Sequence, residues 1–526
     1  MRTRHSLLSF ATQVAFAIVT MAMALVVSPW IETCLGKDRF GAFRFLIGWQ
    51  GYLVLLELGL GGAVAPLLAR ALGRGDEAEL RKTMVAGVRA YAWVSLVTLA
   101  FGGCLTLVIP RLASGLPPAD VDDLRRAWAL IVLSFLTLGL VPFRAIVEAR
   151  QRGYQINLLL IGQAVIVTVL SLLLARAGWG ITGQALAALV GTSIFALTLA
   201  AGASWSLPGL LRSLWTIPTD PETRRSLRAL SLPTFLMTLS GRVSLMTDDI
   251  VIGGLLGTAT ITTLFFTQRL AVMAQTLLQG IGTATWAALA ELHARGERET
   301  FNRRLVELTR LIAVLSAAGL GPIVAYNRYF VTRWVGPDVS YGGDTVIAVA
   351  ALNAYLMALQ SFWGWCFSAT GEVRRITAAA LAASVLNLAA SLALTRSLGM
   401  VGPLLGTTIG LVAVSGWYLP WTLRRVFGTP VRPLVAAAVW PLACGLIYAG
   451  GLFWVTRHHA PRGWLGLAVE MSLAALGFLA LAYAVLLTPD DRALWRFRLQ
   501  MLRPRPSRLE PAIHAPDGGG GEMTDD

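Results

Sequence analysis

Four ionisable side chains stand out because charged groups fall inside long apolar runs. Arg242, Asp248 and Asp249 lie in one run and Arg269 in the next. On insertion scales a charge at the centre of such a run costs about 2.5–3.5 kcal/mol, so each needs a use or a partner. Asp249 follows Arg242 by about two helical turns and shares its face. Arg269 lies a similar distance beyond the short Gly257–Ala259 turn, so Asp248 or Asp249 can face it across a hairpin. Arginine suits phosphate oxygens, because its planar fork binds them bidentately and stays charged. Two uses follow: a cationic cavity wall that holds an anion, with the aspartates tuning or gating it, or an ion pair that ties two helices together.

Other candidates carry less. Glu57 sits in the middle of an apolar run beside Gly59, Gly61, Gly62 and Pro66. It reads either as a site for a coupling cation or proton, or as a carboxyl bonded internally at a helix bend. Arg44, Arg89 and Arg144 lie within about two turns of the ends of their runs; they extend a cationic cavity or simply snorkel to the interface. Glu470 has no visible partner. Trp363 and Trp365, with Phe362 and Phe367, can stack on sugar rings or pack between helices.

The elements that hold these residues are set by composition. Of 526 residues, 56% are hydrophobic and 14% charged, against roughly 25% charged in soluble domains. The apolar runs are near the ~20 residues that cross ~30 Å of hydrocarbon. They do not alternate as barrel strands do, so they are helices. Spans are expected near 7–30, 41–68, 84–109, 127–147, 154–175 and 181–203. After a polar stretch they resume near 230–256, 260–289, 305–329, 345–369, 376–395, 401–423, 434–455 and 464–487. The expected fold class is thus an all-α polytopic membrane protein of about fourteen transmembrane helices.

The +15 formal charge is explained by topology rather than by nucleic acid. Lys and Arg cluster in alternate loops: Arg70, Arg74, Arg81 and Lys82; Arg150 and Arg152; Arg212, Arg224, Arg225 and Arg228. The pattern continues with Arg295 to Arg310, Arg374 and Arg375, Arg424, Arg425 and Arg432, and the tail from Arg492 to Arg508. By the positive-inside rule both termini are cytoplasmic. The tail is basic over 491–506, suited to an anionic membrane surface, and acidic and Pro/Gly-rich over 511–526, which reads as disordered.

Several absences narrow the chemistry. Lys82-Thr83 lacks the glycines of a P-loop, so ATP is not expected to drive the chain directly. Gly59-Leu60-Gly61-Gly62 has Val64 where a dinucleotide fingerprint needs its third glycine. Four cysteines and five histidines show no ligand spacing. No metal, cofactor or catalytic constellation is expected, and no external loop is long enough for a catalytic domain.

The sequence also repeats. Shifted by about 221 residues, Leu35-Gly36 falls on Leu256-Gly257, Gly59-Leu60-Gly61 on Gly280-Ile281-Gly282, and Arg74-Gly75-Asp76 on Arg295-Gly296-Glu297. Shifted by about 219, Gly180, Gly183 and Gly191 fall on Gly399, Gly402 and Gly410. Six helices separate the copies, so the repeat is parallel, and such repeats place substrate at their interface.

These residues resemble a known family. Leu35-Gly36-Lys37-Asp38-Arg39-Phe40-Gly41, Glu57-Leu58-Gly59-Leu60-Gly61, Arg74-Gly75-Asp76 and Asp248-Asp249-Ile250-Val251-Ile252-Gly253 are similar to bacterial Wzx-type polysaccharide flippases of the MOP exporter superfamily, which also holds lipid II flippases and MATE antiporters. The resemblance implies two six-helix bundles in a V around a central cavity, with alternating access. It implies a substrate of glycan on undecaprenyl diphosphate, and a diphosphate site at Arg242 and Arg269, with Arg44, Arg89 and Arg144 as further cations. Asp248, Asp249 and Glu57 become coupling or gating residues for H+ or Na+. The expected organisation is an N-terminal bundle at 1–203, a cytoplasmic linker at 204–229, a C-terminal bundle at 230–424, an extra helix pair at 432–488 and a tail at 489–526, in the bacterial inner membrane. The competing expectation is a MATE-like antiporter of organic cations. It needs carboxylates in the first or seventh span; the first has none within it, Glu32 falling beyond its expected end, and the seventh has Asp248 and Asp249 but with Arg242 on the same helix.

Overall fold

A backbone in hydrocarbon must satisfy its own N–H and C=O groups, and a helix does so within one segment. The computed structural model describes residues 2–205, 207–218, 220–336, 341–486 and 492. It describes their side chains except at 2–7, 10, 211, 224, 228, 230, 232–234, 237, 240, 243–245 and 287. Among the described residues there are helices and turns and no strands. Apart from Arg492, the expected basic and acidic stretches of the tail, and the side chains of Arg224 and Arg228, lie outside the described residues.

The helices run in this order. First come α1 (Arg2–Leu35), α2 (Lys37–Leu53), α3 (Leu60–Arg74), α4 (Glu77–Leu105), α5 (Ile109–Leu112), α6 (Val121–Ser134), α7 (Val141–Ala149), α8 (Gly153–Arg176) and α9 (Gly180–Trp205). The short α10 (Leu210–Thr216) lies in the polar linker. Then follow α11 (Pro221–Leu255), α12 (Thr258–Ala294), α13 (Arg298–Val335), α14 (Asp344–Ala369), α15 (Arg374–Leu398), α16 (Val401–Gly410), α17 (Gly416–Phe427), α18 (Val431–His458) and α19 (Gly463–Val485). By contacts the chain divides into Met1–Leu479 and Ala480–Asp526. The second holds the end of α19, where Arg492 donates to the Ala484 carbonyl at 2.6 Å.

By length and apolarity 11 described helices can cross a membrane, or 12 with α2–α3 as one bent span. The expected fourteen is reached only if α11 and α12 cross too. They are long enough, at 35 and 37 residues, but fall short in apolarity. Arg242, Asp248 and Asp249 dilute one; Gln268, Arg269, Gln275 and several threonines dilute the other. The two helices that fall short are therefore the ones that carry Arg242, Asp248, Asp249 and Arg269.

Three expected spans are interrupted. The second breaks where a 3₁₀ turn at Val54–Glu57 leads into left-handed Leu58 (φ 52°) and Gly59 (φ 76°), and α3 leaves at 50° to α2. A 3₁₀ stretch at Phe135–Leu140 divides α6 from α7, and a π-turn at Leu411–Ser415 divides α16 from α17. The first helix also runs to Leu35 and so takes in Glu32, which the sequence placed beyond it; Glu32 is buried and partnered. The repeat is visible in the backbone. Gly36 and Gly257 share φ of 84° and 99°, and Gly180 and Gly399 share 56° and 59°. Gly59 has no such match, since its counterpart Gly280 lies inside unbroken α12.

The first and second copies meet where α2 crosses the α11–α12 hairpin. A Cβ on Gly41 would stand 1.8 Å from the Thr258 carbonyl oxygen, so only glycine fits. The Thr262 hydroxyl donates to the Lys37 carbonyl at 2.7 Å, and Tyr52 and Thr247 share a 2.6 Å hydrogen bond. At the end that the charge rule places outside, Ser114 N–H donates to Gly253 and its carbonyl accepts from Thr258 N–H, at 3.0 and 3.1 Å. Phe40, Phe265, Phe266, Phe330 and Trp334 pack together there. The Trp334 indole donates to the Leu25 carbonyl at 2.5 Å. Pro29, four residues on and without an N–H, leaves that carbonyl without its usual helical donor. The last pair is anchored on α13, where Tyr329 donates to the Thr456 carbonyl at 2.6 Å; within the pair Glu470, without a visible partner in the sequence, meets His459 at 3.3 Å.

The glycine crossing gives a prediction with opposite signs. Gly41→Ala should destabilise the protein by about 1–3 kcal/mol through overpacking. Gly103→Ala, with open space at its Cβ, should be neutral or stabilising by up to ~1 kcal/mol from helix propensity. Thermal unfolding in detergent followed by fluorescence reads both; equal shifts would contradict the contact.

Candidate functional site

At the glycine crossing, α2 brings Arg44 against the hairpin, one turn after Gly41. Arg44, Asp248, Asp249 and Arg269 line one cavity of about 180 Å³, completed by Phe265, Gln268 and Gln275 of α12, Asn353 of α14 and Thr407 of α16. Arg44 Nη2 lies 3.0 Å from Asp249 Oδ2, with the side chains 33% and 15% exposed. The guanidinium carbons of Arg44 and Arg269 lie 4.9 and 5.2 Å from the centroid of one ring, Phe265. Both are inside the ~6 Å range of cation–π attraction. Three buried polar atoms in this cavity have no partner: Arg44 Nε, Arg269 Nε and Asp248 Oδ1. Arg269 makes no hydrogen bond or ion pair with any described residue. Asp249's charge is thus matched by Arg44, while Arg269 offers a free guanidinium and Asp248 a free oxygen.

Arg269 and the aspartates face one another across the hairpin, as their spacing allows. The partner of Asp249 is Arg44, 205 positions away, rather than Arg269 across the hairpin. Arg269 and the aspartates face the same space without pairing. The other candidates lie elsewhere. Arg242 is half-buried, outside the cavity lining, with no partner among the described residues. Arg89 donates to the Leu214 carbonyl at 2.9 Å, at the C-terminal end of α10, so it clamps the linker. Arg144 pairs with Glu148 at 2.9 Å and lines a second cavity, of about 460 Å³, together with Glu57 and Tyr91. Glu57 Oε1 accepts from Gly61 N–H at 2.8 Å and from the Tyr91 hydroxyl.

Some residues of the candidate site escaped the sequence. Phe265 is one turn before Arg269, which is the one signal that could have marked it. Tyr91 is fully buried and carried no signal. The aromatics singled out for sugar stacking are mostly core: Phe362, Trp363 and Phe367 are buried, and Trp363 donates to Thr309 at 3.0 Å. Among the described residues no group of three His, Cys, Asp or Glu could hold a metal ion.

A family model described as "Polysaccharide biosynthesis protein" matches residues 9–292, just over half of the 526. The chain belongs to that family. It is the family of Wzx-type flippases that the sequence motifs resemble. No curated protein sequence matches this member of it. Among solved structures it is similar to the lipid II flippase MurJ in an inward closed conformation (TM-score 0.67, 14% identity, 92% of this chain and 99% of that one). It is also similar to an inward-facing multidrug resistance MATE family transporter of the MOP superfamily (0.59, 16%, 78% and 98%). A third is a MOP superfamily transporter from Pyrococcus furiosus described by the reverse polarity of its binding pocket (0.52, 17%, 80% and 93%). At these identities what is shared is the fold. A match over 92% of the family member's chain leaves fewer residues than α18 and α19 contain together, at 28 and 23. It therefore reaches into the last pair.

The Arg44–Asp249 pair yields a stability test. Breaking a fully buried pair costs about 3–5 kcal/mol because it strands a charge. Here partial exposure reduces that to about 2–3 kcal/mol for Arg44→Ala. Arg44→Ala with Asp249→Ala should recover most of the loss in thermal midpoint. A double variant no more stable than the single one would contradict the pairing.

Proposed function

We propose that the protein flips an oligosaccharide linked to undecaprenyl diphosphate from the cytoplasmic to the periplasmic leaflet of the bacterial inner membrane, for cell-surface polysaccharide biosynthesis. The observation that carries this reading is the free guanidinium of Arg269. It stands with Arg44 on one aromatic ring, in a cavity between the two sequence copies. A guanidinium that no protein group answers is a ready partner for a diphosphate. At about 180 Å³ the cavity is below the ~300–1,000 Å³ of ordinary ligand sites. A sugar chain therefore needs a wider form of it.

The transport cycle then follows. The bundle at 1–203 and the bundle at 230–424 rock about the α2–α11–α12 seam, joined by the linker at 204–229. The diphosphate meets Arg269 and Arg44, with Arg242 about two turns along α11 as a further contact on the way in. The glycan rides in the widened aqueous cavity while the undecaprenyl tail stays in lipid. Asp249 holds Arg44 in position and Asp248 gates. An ion gradient of H+ or Na+ supplies the drive. Both termini lie in the cytoplasm.

A second reading, an antiporter of organic cations with a MATE-like cycle, is favoured by two observations, the partnerless Asp248 Oδ1 and the place of Glu32 inside the first helix. Mass spectrometry of lipid extracts separates the two. A deletion strain should accumulate the lipid-linked glycan, and the wild-type gene should clear it. Arg269→Ala should reach the membrane yet clear it at least ~10-fold more slowly, the loss of one charge-assisted contact of about 1.5–3 kcal/mol. Arg242→Ala, outside the cavity lining, should lose less. No accumulation, together with new sensitivity to cationic dyes, would replace the flippase with the antiporter.

A further inference from the structure

We infer that Ser114 latches the outer end of the protein shut, and that its release opens the cavity to the periplasm. The inference rests on the rocking cycle proposed above, since a latch needs an open form to hold back. A helix leaves its last carbonyls and its first N–H groups without partners of its own. In the α11–α12 hairpin both kinds of end meet at one short turn, Leu256 and Gly257. Three of these groups find their partners in the other sequence copy. Ser114 N–H donates to the Gly253 carbonyl at 3.0 Å, and its hydroxyl donates to the Gly254 carbonyl. The Ser114 carbonyl accepts from Thr258 N–H at 3.1 Å. One residue of the loop between α5 and α6 thus caps the end of α11 and the start of α12 together.

The approach is made by backbone. A Cβ on Gly257 would touch the Ser114 carbonyl oxygen at 3.4 Å, and one on Gly115 would lie 3.6 Å from the Gly257 Cα. The loop is tied to its own bundle: Ile109 is buried, and Asp120 pairs with Arg39 at the start of α2 at 2.7 Å. It therefore moves with that bundle, and rocking the outer end open pulls Ser114 off the hairpin. Gly115 and Pro117 beside it are exposed, so water can follow. Water then takes over the three groups, an exchange of one hydrogen-bond partner for another that costs little. The counterpart loop of the second copy, between α13 and α14, cannot let go on those terms. It meets α1 and α2 through rings, with Trp334 and Tyr341 in one cluster with Ile31 and Phe40, and water does not replace an apolar contact. The polar arm is accordingly the one that releases first.

Spin labels at Ala177→Cys, in the turn after α8, and Ser397→Cys, near the end of α15, read the outer separation; both positions are exposed. The protein carries Ser in place of Cys34, Cys104, Cys366 and Cys444 and is reconstituted in lipid without glycan. Ser114→Ala loses the hydroxyl bond alone and should raise the long-distance population at least ~2-fold. Ser114→Pro loses the N–H bond as well and should raise it at least ~5-fold. Ala113 already has the extended backbone that a following proline requires (φ −83°, ψ 93°). A cross-link should do the reverse. Gly254 has room for a side chain, its nearest neighbour being the Leu112 carbonyl oxygen at 3.6 Å. In the deletion strain, Ser114→Cys with Gly254→Cys should leave lipid-linked glycan uncleared once the disulfide has formed, and a reductant should restore clearance. Distances unchanged in both Ser114→Ala and Ser114→Pro, or glycan cleared at the wild-type rate by fully cross-linked protein, overturn the inference. The distance measurement contains no glycan, so its failure leaves the flippase reading standing. A deletion strain that accumulates no glycan overturns that reading and leaves the distances to decide the latch.

Discussion

The close crossing of α2 over the α11–α12 hairpin governs the rest of the structure. Gly41 lets the Thr258 carbonyl come so near that no side chain fits between them. Three residues later, one helical turn, Arg44 is carried to Asp249. Without that approach the two guanidiniums would not share Phe265, and Asp249 would be a buried charge with no answer. A small-residue contact between backbones thus precedes and permits the electrostatics. In lipid, where no hydrophobic force draws helices together, this is the expected order of causes.

The parallel repeat gives the site its asymmetry. Arg44 and Phe265 are themselves 221 positions apart, the spacing of the repeat. The two equivalent positions meet at the seam, but one copy contributes a cation and the other the ring it stacks on. The same divergence appears at Gly59 and Gly280. The first lies in a break and the second in continuous helix, although their neighbourhoods match in sequence. The two copies share a frame, and the candidate site residues are places where they part.

Much of this was legible in the residues, and the exceptions have physical reasons. The helices fall where apolar runs of membrane length fall, because that pattern is the dominant free-energy term in lipid. The ionisable residues of α11 and α12 were readable because charge in such a run is costly. The break after Glu57 was readable in part: a carboxylate beside Gly59, Gly61, Gly62 and Pro66 reads as a group bonded at a helix bend, which the structure shows, whereas the 3₁₀ turn and left-handed Leu58 carry no such signal. The Arg44–Asp249 pair was not readable. It joins the two copies, and a one-dimensional pattern carries no information on which faces meet. Arg89 shows the converse: a cation inside a span, reasonably assigned to a cavity, was instead occupied by the carbonyl end of the linker helix.

The indole of Trp334 on the Leu25 carbonyl has a consequence for the membrane around the protein. Pro29 removes the N–H that would otherwise serve this carbonyl, so the acceptor depends on a donor from another helix. Any motion that parts α13 from α1 strips it bare. In acyl chains a bare carbonyl costs several kcal/mol, more than thermal motion readily supplies. In water or among headgroups the cost nearly vanishes. Separation at this seam is therefore favoured only where solvent can follow, which couples the opening of the protein to local hydration and makes a dry lateral exit at that depth the expensive path.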